Sequence, residues 1–265
     1  MATKYDHYTA LAFELKDRVM TVAFNRPEKL NVFTAEMERE VCQFLHDGAI
    51  DKDFDVVVLT GKGRAFSAGG DIEEWMLPNV ENPGDVEPTL PKRTVFSLLD
   101  FPKPIIAKLN GHAVGLGATI ALYCDVIFAA EHARIADPHV KVGLSAGDGG
   151  AIIWPQLIGF AKAREYLMTG EFIPAPRALE IGLINYCLPA DELDAAVDAF
   201  VARLQQGAMK AIVATKLTVN LGLKHIATAV MDASIAYELL TVHSEDHAEA
   251  VHAFLEKRDP VFKGK

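Results

Sequence analysis

Apolar and polar residues alternate along two short stretches near the start of the chain, residues 10–15 and 19–25. This alternation is typical of half-buried strands, and the polar tripeptide between the two stretches predicts a β-hairpin. Further on, Thr34 is followed by two acidic residues and then by apolar residues at helical spacing. Because threonine caps helix N-termini and acidic side chains favour the first turn, we expect a helix from Thr34 to about His46.

Uninterrupted apolar runs predict strands that are covered on both faces. Residues 56–59 form such a run and lead into a glycine-rich loop at 60–71. A second strand at 105–109 leads into a glycine-rich turn at 110–117, and a short apolar helix and a strand at 126–129 follow. This order of elements predicts an α/β protein built of βαβ units, in which ligands bind at the carboxyl ends of the strands.

The rest of the chain shows two other patterns. Residues 78–91 are polar and rich in proline, which predicts a mobile surface loop. After about Ala190 the strand patterns end, and amphipathic helices are predicted at 193–204, 209–221, 226–242 and 246–257. Helices of this kind, with little sheet of their own to cover, often pack on another subunit.

Composition excludes several classes of function. The formal net charge of −10 disfavours binding to nucleic acid, which depends on lysine and arginine displacing counterions from phosphates. The longest apolar run, residues 113–124, is too short to cross a bilayer, so we expect no membrane association. The three cysteines are far apart and form no C-x-x-C pair, which indicates a reducing, cytoplasmic environment and no zinc site.

Two segments join a strand to a glycine turn: Arg-Ala-Phe-Ser-Ala-Gly-Gly-Asp at 64–71 and Asn-Gly-His-Ala-Val-Gly-Leu-Gly at 110–117. Either segment alone indicates only a tight connection. They occur together with Asn-Arg-Pro-Glu-Lys-Leu-Asn at 25–31 and Phe-Leu-Glu-Lys-Arg-Asp-Pro-Val-Phe-Lys-Gly at 254–264. With all four segments, the chain resembles the crotonase (enoyl-CoA hydratase/isomerase) superfamily over nearly its whole length.

The resemblance implies a crotonase-type spiral of βαβ units, residues 1–200, followed by a helical trimerisation region, residues 201–265. It also implies a homotrimer, or a hexamer made of two trimers. The expected substrate is an acyl-CoA thioester, as in fatty acid metabolism. Coenzyme A would be part of the substrate, and no further cofactor and no metal would be needed.

The same resemblance assigns roles to individual residues. The backbone N–H groups of Gly70 and Leu116 would form an oxyanion hole, which stabilises the charge on the thioester oxygen of an enolate. Many relatives carry glycine where Leu116 stands. The residues implied to bind the substrate are Lys29, Ala68, Asp71, Phe262 and Lys263. The last two would come from a C-terminal helix of this subunit or a neighbouring one.

The chain departs from the family pattern at the proton-transfer residues. Hydratases of the family use two glutamates, and their positions fall here on Thr119 and His139, which argues against simple addition of water to a 2-enoyl-CoA. His139 and Asp148 instead resemble the catalytic dyad of the oxo-camphor hydrolase type. In that interpretation His139, with an unshifted pKa near 6.5, takes a proton from water, and Asp148 orients the imidazole.

Three functions remain open from the sequence. The first is a lyase, isomerase or hydrolase that acts through a thioester enolate, and the second is hydrolysis of a C–C bond in a 3-oxoacyl-CoA. The third is a CoA-binding protein that has lost catalysis, in which His139 and Asp148 only form hydrogen bonds within a loop. His243 and His247 lie four residues apart. We expect them on an exposed helical face rather than in a metal site.

Overall fold

The computed structural model describes residues 4–82 and 86–265. The predicted hairpin is present, since strands β1 (Leu11–Lys16) and β2 (Val19–Phe24) pair antiparallel. Both residues of the connecting turn have positive φ angles, 48° and 62°. Turns of this kind match the right-handed twist of the flanking strands.

The hairpin is one edge of a six-stranded sheet in the order β1-β2-β3-β4-β6-β9, in which every pair after the hairpin is parallel. A three-stranded sheet, β5-β7-β8, lies outside it. The remaining strands are β3 (Val56–Gly61), β4 (Ile105–Leu109), β5 (Ala113–Val114), β6 (Val126–Ala130), β7 (Arg134–Ala136), β8 (Ile173–Pro174) and β9 (Tyr186–Leu188).

The helices that follow the strands are α1 (Ala35–Ile50), α2 (Leu77–Glu81), α3 (Leu90–Asp100), α4 (Leu116–Leu122), α5 (Gly150–Thr169), α6 (Ala175–Glu180), α7 (Leu193–Gln205), α8 (Met209–Val242) and α9 (Glu245–Leu255). Thr34 caps α1 as predicted, because its side chain accepts a hydrogen bond from the Met37 N–H at 3.2 Å. The helix extends past His46 to Ile50. No helix in the described ranges is long and apolar enough to span a membrane.

Strand β3 is buried along its whole length, as the apolar run predicts. Val57 and Leu59 belong to the main core, which also contains the aromatic residues of the hairpin and α1. Val56 and Val58 face a second cluster that is closed by α7. Both faces of the central sheet are therefore covered by packed side chains. These two layers hold the loops at the carboxyl edge of the sheet in place.

Two of the expectations are wrong. Residues 78–91 are not a continuous loop, because Pro78 lies in the first turn of α2 and Pro91 in the first turn of α3. Proline is well suited there, since it lacks only an N–H that the helix leaves unpaired. Part of that stretch, residues 83–85, lies outside the described residues. The two helices expected between residues 209 and 242 are a single helix, α8.

Helix α8 is continuous because its packing outweighs a local break in the pattern. Its residues Ala227, Met231 and Ile235 are buried in the main core with the central sheet. Gly222 lies in the helix and weakens it by only about 1 kcal/mol relative to alanine, which this burial offsets. The division of the chain near residue 200 stays a prediction.

Candidate active site

A cavity of about 550 Å³ lies at the carboxyl edge of the central sheet. Both glycine turns reach it, as do the loop between β7 and α5 and the helices α1 and α8. Much of its wall is apolar, and its polar residues include Glu38, His139, Asp148 and Glu238. Apolar clefts with a few convergent polar groups are typical of small-molecule sites.

Gly70 lies in the first glycine turn, between two backbone hydrogen bonds to Phe33. On either side of Gly70, the chain is tied to Phe33: the Phe33 N–H donates to the Gly69 carbonyl at 2.7 Å, and the Asp71 N–H donates to the Phe33 carbonyl at 2.8 Å. Gly70 itself lines the cavity. Within the described ranges its N–H donates to no protein acceptor, so it is available to a ligand.

Leu116 lies in the second glycine turn and lines the same cavity. The Gly115 N–H donates to Ala136 at 2.9 Å, and α4 then begins at Leu116. The first N–H groups of a helix have no partner inside it, and that of Leu116 has none elsewhere in the described part of the chain. The two turns are in close contact, since a Cβ atom on Gly115 would lie 3.5 Å from the Cα of Gly69.

Ser67 holds the first glycine turn in place through hydrogen bonds. Its hydroxyl donates to the Asn31 carbonyl at 2.8 Å and accepts from the Gly69 N–H at 3.2 Å. The side chain is completely buried, and a Cβ on Gly117 would lie 2.5 Å from that of Ser67. Ser67 is therefore part of the loop structure that holds the two turns together.

The imidazole of His139 lies between two carboxylates. Its Nδ1 donates a short hydrogen bond to Asp137, and its Nε2 is 3.6 Å from Oδ2 of Asp148. Asp137, rather than Asp148, thus orients the ring. Asp148 is held by the Thr119 hydroxyl and the Gly150 N–H, both of which donate to its Oδ1 at 3.1 Å. Its Oδ2 is buried without a hydrogen-bond partner.

These charges change the expected protonation of His139. Burial by itself lowers the pKa of the imidazole, but the negative charges of Asp137 and Asp148 outweigh burial and raise the pKa well above 6.5. The expectation of an unshifted pKa is therefore wrong, and the two carboxylates favour the imidazolium form of His139. Burial raises the pKa of Asp148, and the charge of His139 partly offsets this.

Two further carboxyl groups line the cavity and were missed in the sequence. Glu38 of α1 accepts a hydrogen bond from Thr94 at 2.7 Å, and burial raises its pKa to about 8. Burial also raises the pKa of Glu238, in α8, to about 8. A signal for Glu238 existed, because it falls at helical spacing among apolar residues that also line the cavity, namely Ile235, Leu239 and Val242.

A metal site is poorly supported by this donor set. Asp137, His139 and Asp148 are the only described residues whose possible ligand atoms cluster, within 4.8 Å of one another. Asp137 already accepts from the imidazole, which leaves two ligands where a catalytic zinc ion takes three from the protein. His247 is no ligand candidate, because it is buried and bonds to the Val142 carbonyl at 2.7 Å. The expected exposed helical face is thus wrong for both histidines, because His247 is buried in α9 and His243, although exposed, lies in the turn between α8 and α9.

The residues expected to bind the substrate fall into two groups. Ala68 lines the cavity together with Gly70, Leu116, His139 and Asp148. The others do not line it: Lys29, Asp71, Phe262 and Lys263. The expected C-terminal helix is wrong for the last two, because α9 ends at Leu255 and no helix follows in the described chain.

Asp71 and Lys29 belong to one ion-pair network beside the first turn. Oδ1 of Asp71 caps a short π-helix (Ile72–Met76), and its Oδ2 is 3.1 Å from the Arg26 guanidinium. The Lys29 ammonium group is 2.7 Å from Glu74. In this structure both residues interact with protein groups and stabilise the loop.

The comparisons with known proteins agree with this architecture. The enoyl-CoA hydratase/isomerase family profile matches residues 14–265, and the chain belongs to this family. The crotonase fold expected from the sequence is confirmed by an enoyl-CoA hydratase/isomerase from Mycobacterium paratuberculosis. That crystal structure has a TM-score of 0.87 and 31% identity, and the match covers 94% of this chain and 99% of the other.

Two relatives from Escherichia coli K12 carry names with different reactions. A 2,3-dehydroadipyl-CoA hydratase is 32% identical, with 94% of this chain and 97% of the relative covered. A 1,2-epoxyphenylacetyl-CoA isomerase is also 32% identical, with 93% and 95% covered. Similarity to both a hydratase and an isomerase does not decide which reaction this chain catalyses.

Proposed function

We propose that this chain is an acyl-CoA enzyme that forms a thioester enolate in the cavity, with the N–H groups of Gly70 and Leu116 on the enolate oxygen. The observation that carries the proposal is that both N–H groups lack a partner in the described chain and belong to residues lining one cavity with His139 and Asp148. Preorganised donors stabilise an oxyanion more than a neutral carbonyl. The names of the relatives, which refer to acyl-CoA substrates, are consistent with this class.

Asp148 is the base in this proposal, and His139 is its cationic partner. An imidazolium has no lone pair to accept a proton, whereas Oδ2 of Asp148 has no hydrogen-bond partner and lies 3.6 Å from Nε2 of His139. Burial makes the Asp148 carboxylate more basic than usual. It removes the proton next to the thioester, and the positive charge of His139 stabilises the anion that forms.

The site favours a shift of protons along the acyl chain, as in isomerisation. Thr119, at one hydratase position, donates its hydroxyl to Asp148 and cannot act as a carboxylate. Hydrolysis of a C–C bond requires neutral His139 to activate water, and its raised pKa counts against this at neutral pH. Neither alternative gains support from the geometry.

Deuterium exchange tests enolate formation without knowledge of the natural substrate. The enzyme, incubated with butyryl-CoA in D₂O, should replace the hydrogens next to the thioester faster than the buffer does, as measured by mass spectrometry. Asp148→Asn should reduce the rate by about 100-fold, the usual contribution of a positioned base. Asp198→Asn, an exposed change on α7, is the matched control and should leave the rate unchanged.

Absence of exchange together with tight binding of butyryl-CoA would contradict the proposal and indicate a CoA-binding protein. A panel of 3-enoyl-CoAs and 3-oxoacyl-CoAs then identifies the reaction. Isomerisation keeps the product mass and creates a conjugated thioester that absorbs in the ultraviolet. Hydration gives one product that is heavier by the mass of water, whereas C–C hydrolysis of an open-chain 3-oxoacyl-CoA consumes water and splits the substrate into a carboxylic acid and a shorter acyl-CoA.

A further inference from the structure

Glu238 brings a carboxyl group into the cavity from a part of the chain remote from both glycine turns. It lies in α8 and lines the cavity together with His139 and Asp148. Its side chain packs directly on the Asp148 loop, because a Cβ atom on Gly147 would lie 2.4 Å from the Glu238 Cβ and 2.6 Å from its Oε2. In the described part of the chain it forms no ion pair with lysine or arginine.

The surroundings of Glu238 keep a proton on its carboxyl group. Burial is the main cause of its pKa near 8, the negative charges of Asp148, Asp137 and Glu38 add to it, and His139 opposes them. His247 of α9 also lines this cavity, and burial lowers its pKa, so it contributes no positive charge at neutral pH. Glu238 is thus a neutral acid at neutral pH, while the charge of His139 favours the ionised form of Asp148 against the effect of burial.

Glu38 also has a raised pKa, but its side chain is less accessible than that of Glu238. Its side chain is completely buried, and one oxygen accepts the hydrogen bond from Thr94. Glu238 is only partly buried. Of the two neutral carboxyl groups, Glu238 is the one whose position allows contact with a ligand.

We propose that Glu238 is a second catalytic residue of this cavity, the acid that returns a proton to the acyl chain after Asp148 has removed one. This inference rests on the proposed function.

In the first step the bond between the α carbon and its hydrogen breaks, the proton goes to Asp148, and the electron pair moves to the thioester oxygen. In the second step, on a 3-enoyl-CoA, the O–H bond of Glu238 breaks and the π electrons of the β,γ double bond form a C–H bond at the γ carbon. The enolate pair restores the thioester carbonyl, and the double bond now lies between the α and β carbons. Proton transfer from Asp148 to Glu238 returns both groups to their starting forms. Asp148 is next to the positive charge of His139, and Glu238 forms no ion pair with lysine or arginine among the described residues. Such different environments are the usual basis for a division of roles between two carboxyl groups.

Glu238→Gln separates the two steps. Exchange of the α hydrogens of butyryl-CoA needs only the base and the oxyanion donors, so the variant should keep the exchange rate within about threefold. Conversion of 3-hexenoyl-CoA to the conjugated 2-enoyl isomer also needs the acid, and its kcat should fall by about 100-fold. Glu238→Asp should recover part of that loss. Asp232→Asn is the matched control, because Asp232 lies on the same helix, is exposed and pairs with Lys92.

Each outcome has one interpretation. Loss of exchange in Asp148→Asn but not in Glu238→Gln, with loss of isomerisation in both, supports the assignment. Unchanged isomerisation in Glu238→Gln, or equal loss of exchange and isomerisation, overturns it. A wild-type protein without any exchange instead overturns the proposed function itself.

The pH profile gives a second readout that a structural role would not change. A donor must be protonated, so wild-type isomerisation should fall as the pH rises through about 8, the pKa of Glu238. The exchange reaction should lack this fall. An identical alkaline fall of isomerisation in the wild type and in Glu238→Gln would assign it to another group and contradict the proposal.

Discussion

The charge of His139 decides what the neighbouring carboxyl groups can do. With a proton on both nitrogens, the ring donates to Asp137 and places a positive charge 3.6 Å from Asp148. That charge favours the ionised form of Asp148 and opposes the effect of burial. In the proposed mechanism, the base Asp148 is therefore paired with a cation whose pKa is raised by Asp137.

Asp137→Asn should lower the pKa of His139, because it removes one of the two negative charges that raise it. NMR titration of the protein with ¹³C-labelled histidine measures this directly. The folded pKa exceeds the value of the unfolded chain, about 6.5. The stabilisation by protonated His139 is therefore complete below that pH and is lost as the pH rises through the folded pKa.

Unfolding in urea at several pH values tests the same point through stability. The difference in the free energy of unfolding between wild type and Asp137→Asn should be largest below pH 6.5 and should shrink as the pH rises. An unchanged pKa of His139 in the variant would show that Asp137 does not maintain the charge.

Part of this site is visible in the sequence, and part is not. The spacing of glycines and of His139 and Asp148 identifies the residues that come together, because both follow a local pattern along the chain. That Asp137 is the partner of the His139 ring is seen only in the position of its carboxylate in the structure. The charge of His139 depends on burial and on the nearby carboxylates. Neither is encoded in spacing, and Glu238 reaches the cavity only through the packing of a distant helix.

At the scale of elements, the first glycine turn depends on Asp71. Its two oxygens have separate tasks, since one accepts from the N–H groups of Glu73 and Glu74 and the other pairs with Arg26. The side chain is nearly inaccessible to solvent. Asp71 directly follows Gly70, so the same contacts fix the direction of the Gly70 N–H.

Asp71→Ala should lower the free energy of unfolding by about 3 kcal/mol, because it leaves the largely buried charge of Arg26 without its buried partner. Urea denaturation followed by circular dichroism measures the change. Glu74→Gln is the matched control, since Glu74 pairs with the same guanidinium but is half exposed. It should cost less than about 1 kcal/mol. Equal losses in the two variants would contradict the assignment.

Strands β1 to β4 and β6 follow from the apolar pattern, whereas the short strands β5, β7, β8 and β9 and the helix boundaries do not. A run such as Val56–Gly61 is apolar on both faces only because two layers cover it. The ends of helices depend on contacts further away. Helix α8 continues through Gly222 because residues beyond it are buried in the core, which no local pattern around the glycine reveals.

At the scale of the whole molecule, α8 has one buried side and one exposed side. One side is buried in the core, and the other exposes large apolar residues: Val219, Leu221, Tyr237 and Leu240. Groups of exposed apolar side chains often mark protein interfaces. The exposed side of α8 agrees with the homotrimer or hexamer expected from the sequence, which stays a prediction.

Light scattering coupled to size exclusion should give a mass three or six times the 28.9 kDa of the chain. Leu240→Glu should shift the mass towards the monomer, because it places a charge in an apolar interface. Asp232→Asn, an exposed polar change on the same helix, should leave the mass unchanged. A monomeric wild type at micromolar concentration would refute the expected assembly.

The central claim is that the amides of Gly70 and Leu116 receive one oxygen atom. A crystal structure with bound butyryl-CoA measures this directly. We expect the thioester oxygen at about 3 Å from both nitrogen atoms, the distance of an oxyanion-hole contact, with the α carbon facing Asp148. A thioester oxygen bound elsewhere, with both amides facing solvent, would contradict the enolate mechanism.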